Sequence, residues 1–482
     1  MASKDTDPRK RVDRVRRLLK TSSTHVRALI SALHPTEIAM LLEESPEDLQ
    51  KHIVRELPRD LISEAISEMD EETNPGKLLS LLRPQVASEL IEELAPDDAA
   101  DLLAQVSEEI KERILSFVPD EEETVITQLL EYDEESAGGL MNPEVVYVGI
   151  KMSKLEALRQ VVEQSEDMDD FYTIYVVDDH HCLQGYLTFR SLFLARNHEI
   201  VENVMDPDII SVSVDTDQEE VAKAMSQYNL PTLPVVDPEK RLLGRITFDD
   251  VMDVIEEENT EDTLKFAGVS EGAKIRGGWF DSVRSRIPWL LVNLVTASTA
   301  MLVVGFFSGT IEKIALVASL MPIIAGVGGN GATQTLAVTI LRISNDGIPP
   351  RKALRVVLKE IAVGAMNGFM IGAIAAMAVA LYNANFNPQL EDNVQLEIMV
   401  GVVVFCAMFG NLILAGFAGS FIPIMLERLG VDPAVASSIL ITAFTDIVGY
   451  LLLFGLASKI LLPLVNTINQ AGLPLGTPIP TL

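Results

Sequence analysis

Residues 434–462 form an apolar run that is long enough to cross a lipid bilayer, and one carboxylate, Asp446, lies near its middle. A spanning helix needs about 20 predominantly apolar residues, and a charged side chain at its centre costs roughly 2.5–3.5 kcal/mol. An acid at that depth faces a hydrogen-bonding neighbour, a proton path or an ion. The run therefore predicts a membrane helix whose acid is either satisfied by neighbouring helices or used in transport.

Four more apolar runs precede this one, at residues 287–307, 315–341, 353–382 and 398–426, and each is long enough to span a bilayer. If the part of the chain before them lies in the cytosol, nine Lys and Arg fall on the cytosolic side and two on the other side. Cytosolic loops carry such an excess of basic residues. The sequence therefore predicts five spans in the cell membrane, with the N-terminal part cytosolic and the C-terminus outside.

The charge of the chain is divided unevenly along its length. The formal net charge is −32, yet residues 276–482 hold 11 Lys and Arg against 10 Asp and Glu. Residues 1–275 therefore carry almost the whole negative excess, although the first 20 residues are basic. Such acidity repels the phosphates of nucleic acid and suits cations. The two cysteines, Cys182 and Cys406, offer neither a disulfide framework nor the spacing of a metal site.

Residues 29–133 have the pattern of short helices that restart at prolines. These prolines are Pro35, Pro58, Pro84, Pro96 and Pro119. Proline at the first helical position, followed by acidic and then apolar residues, marks the start of a helix. Repeated short helices of this kind predict a superhelical domain. Asp97 and Asp101 are four residues apart on one such helix, either as a solvated face or as half of a cation site.

A strand–turn–strand–helix pattern then occurs twice. IYVVD, six residues and GYLT in the first copy match LPVVD, six residues and GRIT in the second copy. This repeat resembles a tandem cystathionine-β-synthase (CBS) domain pair, a regulatory module that often dimerises and often binds adenine nucleotides. Thr247 and Asp250 match the ribose-binding pattern of nucleotide-binding members, but the first copy has Ser191 where the acid would follow Thr188. ATP binding is therefore not predicted.

The second copy ends in a run of eight acidic residues between Asp249 and Asp262. Several are three or four residues apart, so a helix would place like charges side by side at a cost of about 0.2–0.5 kcal/mol per pair. A solvated surface tolerates this arrangement, and magnesium, which touches one or two carboxylates while keeping part of its water, would relieve it. Residues 263–286 then mix aromatic and basic side chains, which predicts a connecting amphipathic helix near the membrane surface.

The second apolar run contains a polar, glycine-rich stretch, PIIAGVGGNGATQT, at residues 322–335. Proline and glycine weaken a helix, which membranes tolerate where helices pack closely or where the backbone lines water. Asn330 adds an uncharged oxygen ligand, and Thr442 lies one turn before Asp446 in the last run. Both close helix packing and a metal site in a pore, formed by Asn330, Thr442 and Asp446, account for the pattern.

An acidic helical domain, a CBS pair, a connecting helix and five spans resemble the MgtE family of magnesium channels along nearly the whole chain. The segments PIIAGVGGNGATQTLAV and SSILITAFTDIVGYLLLFGLA look like the pore-lining motifs of that family. The resemblance implies a homodimer with its pore on the two-fold axis, a pore carboxylate at Asp446 and an acid near the inner pore mouth at Asp432. It also implies regulatory magnesium ligands at Asp97, Asp101, Asp217, Glu219, Asp250, Asp253, Glu258, Glu261 and Asp262.

The expected fold is therefore multidomain. It comprises an all-α superhelical domain (1–135), an α/β tandem CBS pair (136–200 and 201–262), a connecting helix (263–286) and a polytopic α-helical membrane domain with five spans (287–482). One departure from the family pattern is Asn229, where members can carry an aspartate, so that one charge is missing from the sensor.

The expected function is a magnesium-selective channel, and not an enzyme, that admits divalent cations passively across the cytoplasmic membrane. Magnesium bound to the acidic cytosolic domains would close it. One alternative is a proton-coupled carrier in which Asp446 is the protonatable group, and another is an adenine-nucleotide-gated transporter of cobalt, nickel or manganese. The expected partners are a second copy of the chain and membrane lipid, with no nucleic acid and no obligatory protein partner.

Overall fold

The computed structural model describes residues 8–19, 30–70, 73–165, 171–270, 273, 278–346, 348–386, 394–435 and 438–470. Predictions about residues 1–7 and 20 of the basic N-terminal segment, part of the connecting segment and the C-terminus lie outside these residues. The chain forms two compact units, Met1–Glu258 and Asn259–Leu482. Each unit is described separately below.

The first part of the first unit is a series of short helices. They are α1 (Pro8–Leu19), α2 (Pro35–Glu43), α3 (Glu47–Glu56), α4 (Arg59–Ser67), α5 (Gly76–Ser80), α6 (Pro84–Ile91), α7 (Pro96–Ala104), α8 (Glu108–Leu115) and α9 (Asp120–Leu129). The five prolines that predicted helix starts each occupy the N-cap or the first residue of a helix, which confirms that prediction. Helices α2, α4, α6 and α8 pack in succession and α7 packs on α9, as in a superhelix.

The CBS pair follows as two copies of one small sheet with its helices. The first copy contains β1 (Tyr147–Gly149), α10 (Lys154–Gln164), β2 (Thr173–Val177), β3 (Leu183–Thr188) and α11 (Phe189–Leu194). The second contains β4 (Val212–Ser213), α12 (Gln218–Tyr228), β5 (Thr232–Val236), β6 (Leu242–Thr247) and α13 (Phe248–Phe266). In each sheet the middle strand pairs parallel with the first and antiparallel with the third, so the predicted repeat is confirmed.

The two CBS copies differ in what they pack against. Apolar residues of the second copy, among them Val221, Leu233 and Ile246, belong to one continuous core with the helices of the first domain. The first copy has a separate core around Val148 and Val176. The helical domain and the second CBS copy are therefore joined by a buried apolar interface, which holds the acids of both elements in place.

The predicted connecting helix over residues 263–286 is divided in the structure. Helix α13 ends at Phe266, and α14 (Trp279–Phe306) begins thirteen residues later and continues into the first span. Gly268 has a φ of +73°, and the Val269 N–H donates to the Leu264 carbonyl. Helices commonly end at a residue in this left-handed conformation. Glycine is favoured there because residues with a side chain rarely adopt that backbone conformation. Gly268 was the local signal that the prediction of one helix overlooked.

Within the described residues, five helical segments are long and apolar enough to cross a membrane, as predicted. They are Trp279–Phe306, Ala315–Ser344, Pro350–Tyr382, Gln395–Arg428 and Ser438–Thr467. The helices are α14, then α15 (Ser308–Lys313), α16 (Ala315–Ser319), α17 (Met321–Asp346), α18 (Pro350–Phe386), α19 (Val394–Arg428), α20 (Ser438–Leu456) and, after a π-helical turn, α21 (Leu462–Gln470). The glycine-rich stretch lies inside α17 without a break.

Helix α19 is the centre of the membrane unit, because it packs against α17, α18 and α20. The contact with α18 is close: a Cβ added to Gly364 would lie 2.4 Å from the Leu412 carbonyl oxygen. Small residues allow membrane helices to approach in this way. Helix α17 also packs against α20, and this contact brings together the two segments that the sequence singled out.

Candidate functional site

Asn330 and Asp446 lie on neighbouring helices, α17 and α20, which pack directly against each other. A Cβ added to Gly329, the residue before Asn330, would lie 3.0 Å from Cγ2 of Thr442. Asp446 follows Thr442 by one helical turn. The structure therefore places these three predicted pore residues on adjoining parts of two helices.

The carboxylate of Asp446 is half-buried inside a candidate membrane span. Among the described residues it has neither a hydrogen-bond donor nor an ion-pair partner. An acid that only stabilised the helix bundle would have such a partner, because hydrocarbon supplies no hydrogen bonds. The interpretation of Asp446 as an acid satisfied by neighbouring helices of its own chain is therefore not supported.

Asn330 belongs to a stripe of small and polar residues on α17 that remains exposed in the single chain. Gly326, Asn330 and Gln334 follow one another at helical spacing on α17, and all three are exposed. An amide on a membrane helix is unfavourable against lipid, so such a stripe is expected to face protein or water. The face of α17 that carries Asn330 is thus distinct from the face that packs on α19.

The hydroxyl groups near Asp446 bond to their own helix. Thr442 Oγ1 donates to the Ser438 carbonyl oxygen at 2.7 Å, and Thr445 Oγ1 donates to the Thr442 carbonyl oxygen at 2.9 Å. With its proton directed at Ser438, the Thr442 hydroxyl oxygen keeps lone pairs that can accept from water or bind a cation.

In the first unit, a cluster of acids lies where the helical domain meets the second CBS copy. Asp97, on α7, is buried, and its Oδ1 accepts a hydrogen bond of 3.1 Å from Nδ2 of Asn142. Burial, followed by the nearby charges of Asp98 and Asp250, raises the pKa of Asp97 well above its usual value. Asp101 lies one turn further along α7 and is half-buried. An ionised Asp97 in this place therefore faces like charges from both elements.

Sequence reasoning did not select two members of this cluster, Asp98 and Glu68. Burial, with the charges of Asp250, Glu68 and Asp249, raises the pKa of Asp98 to about 6. The consecutive acids at residues 97 and 98 were visible in the sequence, but only the spacing of Asp97 and Asp101 along one helix was used. Glu68 follows the end of another helix, α4, and no local pattern connects it with α7.

Asp250 and Asp253 bring the acids of α13 to the same cluster. Asp250 Oδ2 accepts hydrogen bonds from the Thr247 hydroxyl and, at 3.2 Å, from the Thr247 N–H, so it also caps the start of α13. Burial raises the pKa of Asp250 despite these bonds. Desolvation, and then the charges of Asp250 and Glu68, raise the pKa of Asp253. The fold thus brings the predicted ligands Asp97 and Asp250 close enough for their charges to interact, and each also has another carboxylate nearby.

The remaining predicted ligands of the first unit make local contacts. Asp217 caps α12, since its Oδ1 accepts from the Glu219 N–H at 2.9 Å. Glu219 forms an ion pair of 3.7 Å with Lys223, and Glu258 Oε1 accepts from Nε2 of Gln218 at 2.7 Å. Each of these acids has a structural role in a single chain, which does not prevent it from binding an ion.

In the second unit, a lysine lies between two of the predicted ligands. The ammonium group of Lys265 contacts the Glu261 carboxylate and lies 2.9 Å from Oδ2 of Asp432, and only 14% of the Lys265 side chain is exposed. Asp432 Oδ1 accepts from the Ala434 N–H at 2.8 Å. Asp262, next to Glu261 in the chain, is half-buried. The Lys265 ammonium group thus links the Glu261 carboxylate, near the end of α13, to the Asp432 carboxylate, which precedes α20.

Among the residues that the structure describes, no three His, Cys, Asp or Glu side chains are grouped closely enough to hold a metal ion. The chemistry of the donors nevertheless fits magnesium, which binds oxygen and needs only one or two carboxylates because it retains several waters. Burial first, and then neighbouring negative charges, raise the pKa values of Asp97, Asp98 and Asp250, so a nearby cation would stabilise their ionised forms. The cluster is therefore suited to hydrated magnesium and not to a fully dehydrated ion.

Two further sequence features have local structural explanations. Thr188 and Ser191 form a reciprocal cap at the start of α11, which corresponds to the cap of Thr247 and Asp250 on α13. Asn229 ends α12 with a φ of 53°, in the left-handed region that asparagine tolerates better than most residues. The asparagine at this position thus has a backbone role here.

The chain matches three protein families. Residues 321–456 match MgtE, described as a divalent cation transporter, residues 33–135 match the MgtE intracellular N domain, and residues 201–257 match the CBS domain. The first match contains Asn330, Thr442 and Asp446, and the second contains Asp97 and Asp98.

Similar proteins cover most of the chain. The magnesium transporter MgtE of Thermus thermophilus is 34% identical over 339 residues, which is 70% of this chain and 72% of the relative. The magnesium transporter MgtE of Enterococcus faecalis is 32% identical over 433 residues, which is 90% of this chain and 93% of the relative. A crystal structure of the cytosolic domain of the Mg2+ channel MgtE in complex with ATP is 34% identical and covers 50% of this chain and 99% of its own, with a TM-score of 0.48. This chain belongs to the MgtE family of divalent cation transporters.

Proposed function

We propose that the chain is a magnesium channel through which the ion crosses the membrane passively. The observation that carries this proposal is the carboxylate of Asp446, which lies in a membrane span without a hydrogen-bond or ion-pair partner among the described residues. An acid at this depth needs its charge compensated, and a passing cation supplies that compensation. The relatives are named magnesium transporters, which supports magnesium as the cation.

The working form in this proposal is a homodimer with the pore between its two copies. The uncovered stripe of α17 that carries Asn330 supports a partner on that side of the membrane unit. In the cytosolic unit, large apolar side chains are exposed on α11 and α13. They are Phe189, Phe193, Leu194, Phe248, Met252 and Ile255. A cluster of exposed apolar side chains is typical of an interaction surface, and a second CBS pair is the partner that we assign to it.

Two Asp446 carboxylates, one from each copy, would attract a divalent ion more strongly than a monovalent one. Asn330 and Thr442 would add neutral oxygens, which can bond to the water that magnesium keeps. A site that contacts the ion through its water binds it weakly enough for release, as conduction requires.

Entry of the ion is driven by the gradient and the membrane potential, and we assign no catalytic step to the chain. With the acidic unit in the cytosol, an inside-negative potential contributes about 2.3 kcal/mol per charge per 100 mV, and twice that for a divalent ion. The excess of basic residues on one side of the five spans supports this orientation.

The acidic cluster supplies feedback in this proposal. At low magnesium, the charges of Asp97 and Asp98 on α7 and of Asp250 near the start of α13 repel one another. At high magnesium, the ion bridges them, the cytosolic units become compact and the pore closes. Reversing a population of 1:99 takes about 5.5 kcal/mol of differential binding, which several weak sites in two copies can supply together.

The unpaired Asp446 is equally compatible with a proton-coupled carrier, in which this acid takes up and releases a proton. In proteoliposomes, uptake that is accompanied by proton movement and vanishes when the proton gradient is collapsed would favour that alternative. Uptake that follows only the magnesium gradient and the membrane potential would favour the channel.

The feedback proposal predicts that magnesium protects the cytosolic unit of the full-length protein from proteolysis. Protection is expected to rise with magnesium concentration. Replacing Asp250 and Asp253 with asparagine should raise the half-maximal concentration about tenfold or more, the equivalent of 1.4 kcal/mol. Asparagine at residue 250 keeps an oxygen that can accept the Thr247 hydrogen bonds, so the cap of α13 survives.

The matched control for this experiment is the replacement of Glu109 and Glu112 with glutamine, which removes two exposed charges on α8, away from the cluster. This control should leave the protection curve unchanged. Protection that is absent at every magnesium concentration would contradict the feedback mechanism while leaving the pore proposal standing. Protection by ATP alone would point to nucleotide gating.

The lysine between Glu261 and Asp432 leads to a separate prediction. In the proposed mechanism the Lys265 ammonium competes with magnesium for these carboxylates, because it contacts both of them. Replacing Lys265 with glutamine should lower the magnesium concentration that closes the channel by about three- to tenfold, since a partly exposed charge pair contributes roughly 1 kcal/mol. Lys265→Arg retains the charge and serves as the control. An unchanged or higher closing concentration for Lys265→Gln would contradict this role.

A further inference from the structure

Asn411 is a fully buried amide near the middle of α19, and it is not one of the predicted ion ligands. Its Nδ2 donates a hydrogen bond of 3.1 Å to the Ile324 carbonyl oxygen in α17. Its Oδ1 is also buried, and no described residue donates to it. Rotating the amide so that Oδ1 and Nδ2 exchange places would lose the bond to Ile324, because the Ile324 carbonyl oxygen can only accept a hydrogen bond and must face the NH2 group. The buried oxygen is therefore a fixed feature of this arrangement.

Two glycines from two other helices form the slot that holds this amide. A Cβ added to Gly328 of α17 would lie 2.1 Å from Nδ2 of Asn411, and one added to Gly449 of α20 would lie 2.9 Å from the same atom. Any side chain larger than hydrogen at Gly328 would displace the amide. Asn411 thus lies where α17, α19 and α20 meet, in contact with two helices and hydrogen-bonded to one of them.

The slot is next to the proposed pore residues. Gly328 precedes Asn330 by two residues on α17, and Gly449 follows Asp446 by three residues on α20. A buried polar atom without a partner costs about 1–3 kcal/mol, whereas an apolar side chain of similar shape can avoid that cost. Unsatisfied groups of this kind call for an explanation, and strain is commonly retained at functional sites.

We infer that Asn411 is a positioning residue for the ion path. Its hydrogen bond to Ile324, made inside the slot of Gly328 and Gly449, holds the helix that carries Asn330 at a defined spacing from the helix that carries Asp446. The inference rests on the proposed function, because the proposed pore residues are what Asn411 positions. It assigns a role in transport to a side chain that does not contact the ion.

The first test compares Asn411→Leu and Asn411→Asp with the full-length protein in proteoliposomes. Leucine removes both the hydrogen bond and the unsatisfied oxygen, so its melting temperature in detergent should be equal or higher. Its magnesium uptake per folded protein should fall about tenfold or more, since a misplacement of 1 Å can cost roughly 100-fold. Aspartic acid, kept neutral by burial, can donate its O–H to Ile324, so uptake should stay within about threefold of wild type.

The matched control is Asn367→Leu, the same substitution at an exposed asparagine on α18, which should leave uptake unchanged. The inference is overturned if Asn411→Leu transports normally per folded protein. It is also overturned if uptake falls only in proportion to lost stability, or if the leucine and aspartate variants lose uptake equally. In the last case a property of the amide other than its shape and its hydrogen bond to Ile324 would be responsible, because aspartic acid keeps both.

The second test measures helix spacing without ion flux. A Cβ added to Gly329 would lie 3.5 Å from the Thr442 Cβ, which is within the range of about 3.5–4.5 Å for a disulfide. In a background of Cys182→Ser and Cys406→Ala, the pair Gly329→Cys and Thr442→Cys should cross-link when oxidised. Adding Asn411→Leu should slow cross-linking about threefold or more if contact between α17 and α20 becomes rarer.

The two tests separate this inference from the proposed function. If Asp446→Asn transports normally but Asn411→Leu slows the cross-link, the ion-path proposal fails and the helix-positioning role stands. If Asp446→Asn abolishes uptake but Asn411→Leu changes neither the cross-link nor uptake, the ion path stands and the role of Asn411 is wrong.

Discussion

Replacing Asp446 with asparagine is expected to abolish magnesium uptake while leaving the protein folded. The two side chains have nearly the same shape, and among the described residues Asp446 makes no hydrogen bond or ion pair that the substitution would break. A unit charge 4 Å from another contributes about 4 kcal/mol at an effective dielectric constant of 20, and more for a divalent ion. Losing this attraction should reduce uptake by more than about 100-fold.

The measurement is magnesium influx into proteoliposomes under an inside-negative potential, with Glu397→Gln as the control. Glu397 is an acid in the first turn of α19, far along the chain from the glycine slot, and its neutralisation should leave uptake close to wild type. Normal conduction by Asp446→Asn would show that the pore assignment is wrong. Loss of uptake in both variants would point to the overall charge of the membrane unit and not to Asp446.

Acidification in the absence of divalent cations is expected to stabilise residues 1–258 against unfolding. The pKa of Asp98 is about 6 in the folded chain, against an ordinary value of 3.8. Between these values the folded chain still holds a proton that the unfolded chain has lost, so the free energy of unfolding falls as pH rises. The loss is complete above about pH 6. Asp97, Asp250 and Asp253 shift in the same direction, so their contributions add.

Lowering the pH from 7.5 to 5 should therefore raise the free energy of unfolding by about 1.4 kcal/mol from Asp98 alone. The measurement is urea unfolding with a chelator present, followed through protease resistance of residues 1–258 in the full-length protein. Asp98→Asn should be more stable than wild type at pH 7.5 and should have a weaker pH dependence. Magnesium at pH 7.5 should produce the stabilisation that protons produce at pH 5, because both neutralise the same carboxylates.

The control is Glu109→Gln, an exposed acid outside the cluster, which should retain the pH dependence of the wild type. Stability that increases from pH 5 to pH 7.5 would contradict the predicted sign. An Asp98→Asn variant that is less stable than wild type at pH 7.5 would mean that a contact of the carboxylate outweighs the repulsion.

Features that depend on near neighbours in the chain could be predicted from the sequence. Prolines such as Pro35 and Pro96 start helices because proline suits the first helical turn, wherever that helix packs. The CBS repeat could be recognised in the sequence because the strands of each copy are close in the chain and pair with one another in one small sheet. The connecting segment shows the limit of reading a pattern by composition alone: Gly268 ends α13 through its backbone conformation, and the aromatic and basic residues around it concealed that signal.

Five candidate spans, the repeated CBS unit, the uneven charge and an acid inside the last apolar run could all be predicted from the sequence alone. Each of these follows from hydropathy, periodicity or charge counted along the chain. The grouping of distant residues into one site became apparent only from the packing of the helices. The charge of Glu68 acts on Asp98 and Asp253, and Asn411 enters the slot of Gly328 and Gly449, because segments far apart in the chain are folded near one another. Contacts of this kind depend on packing geometry and leave no pattern along the chain.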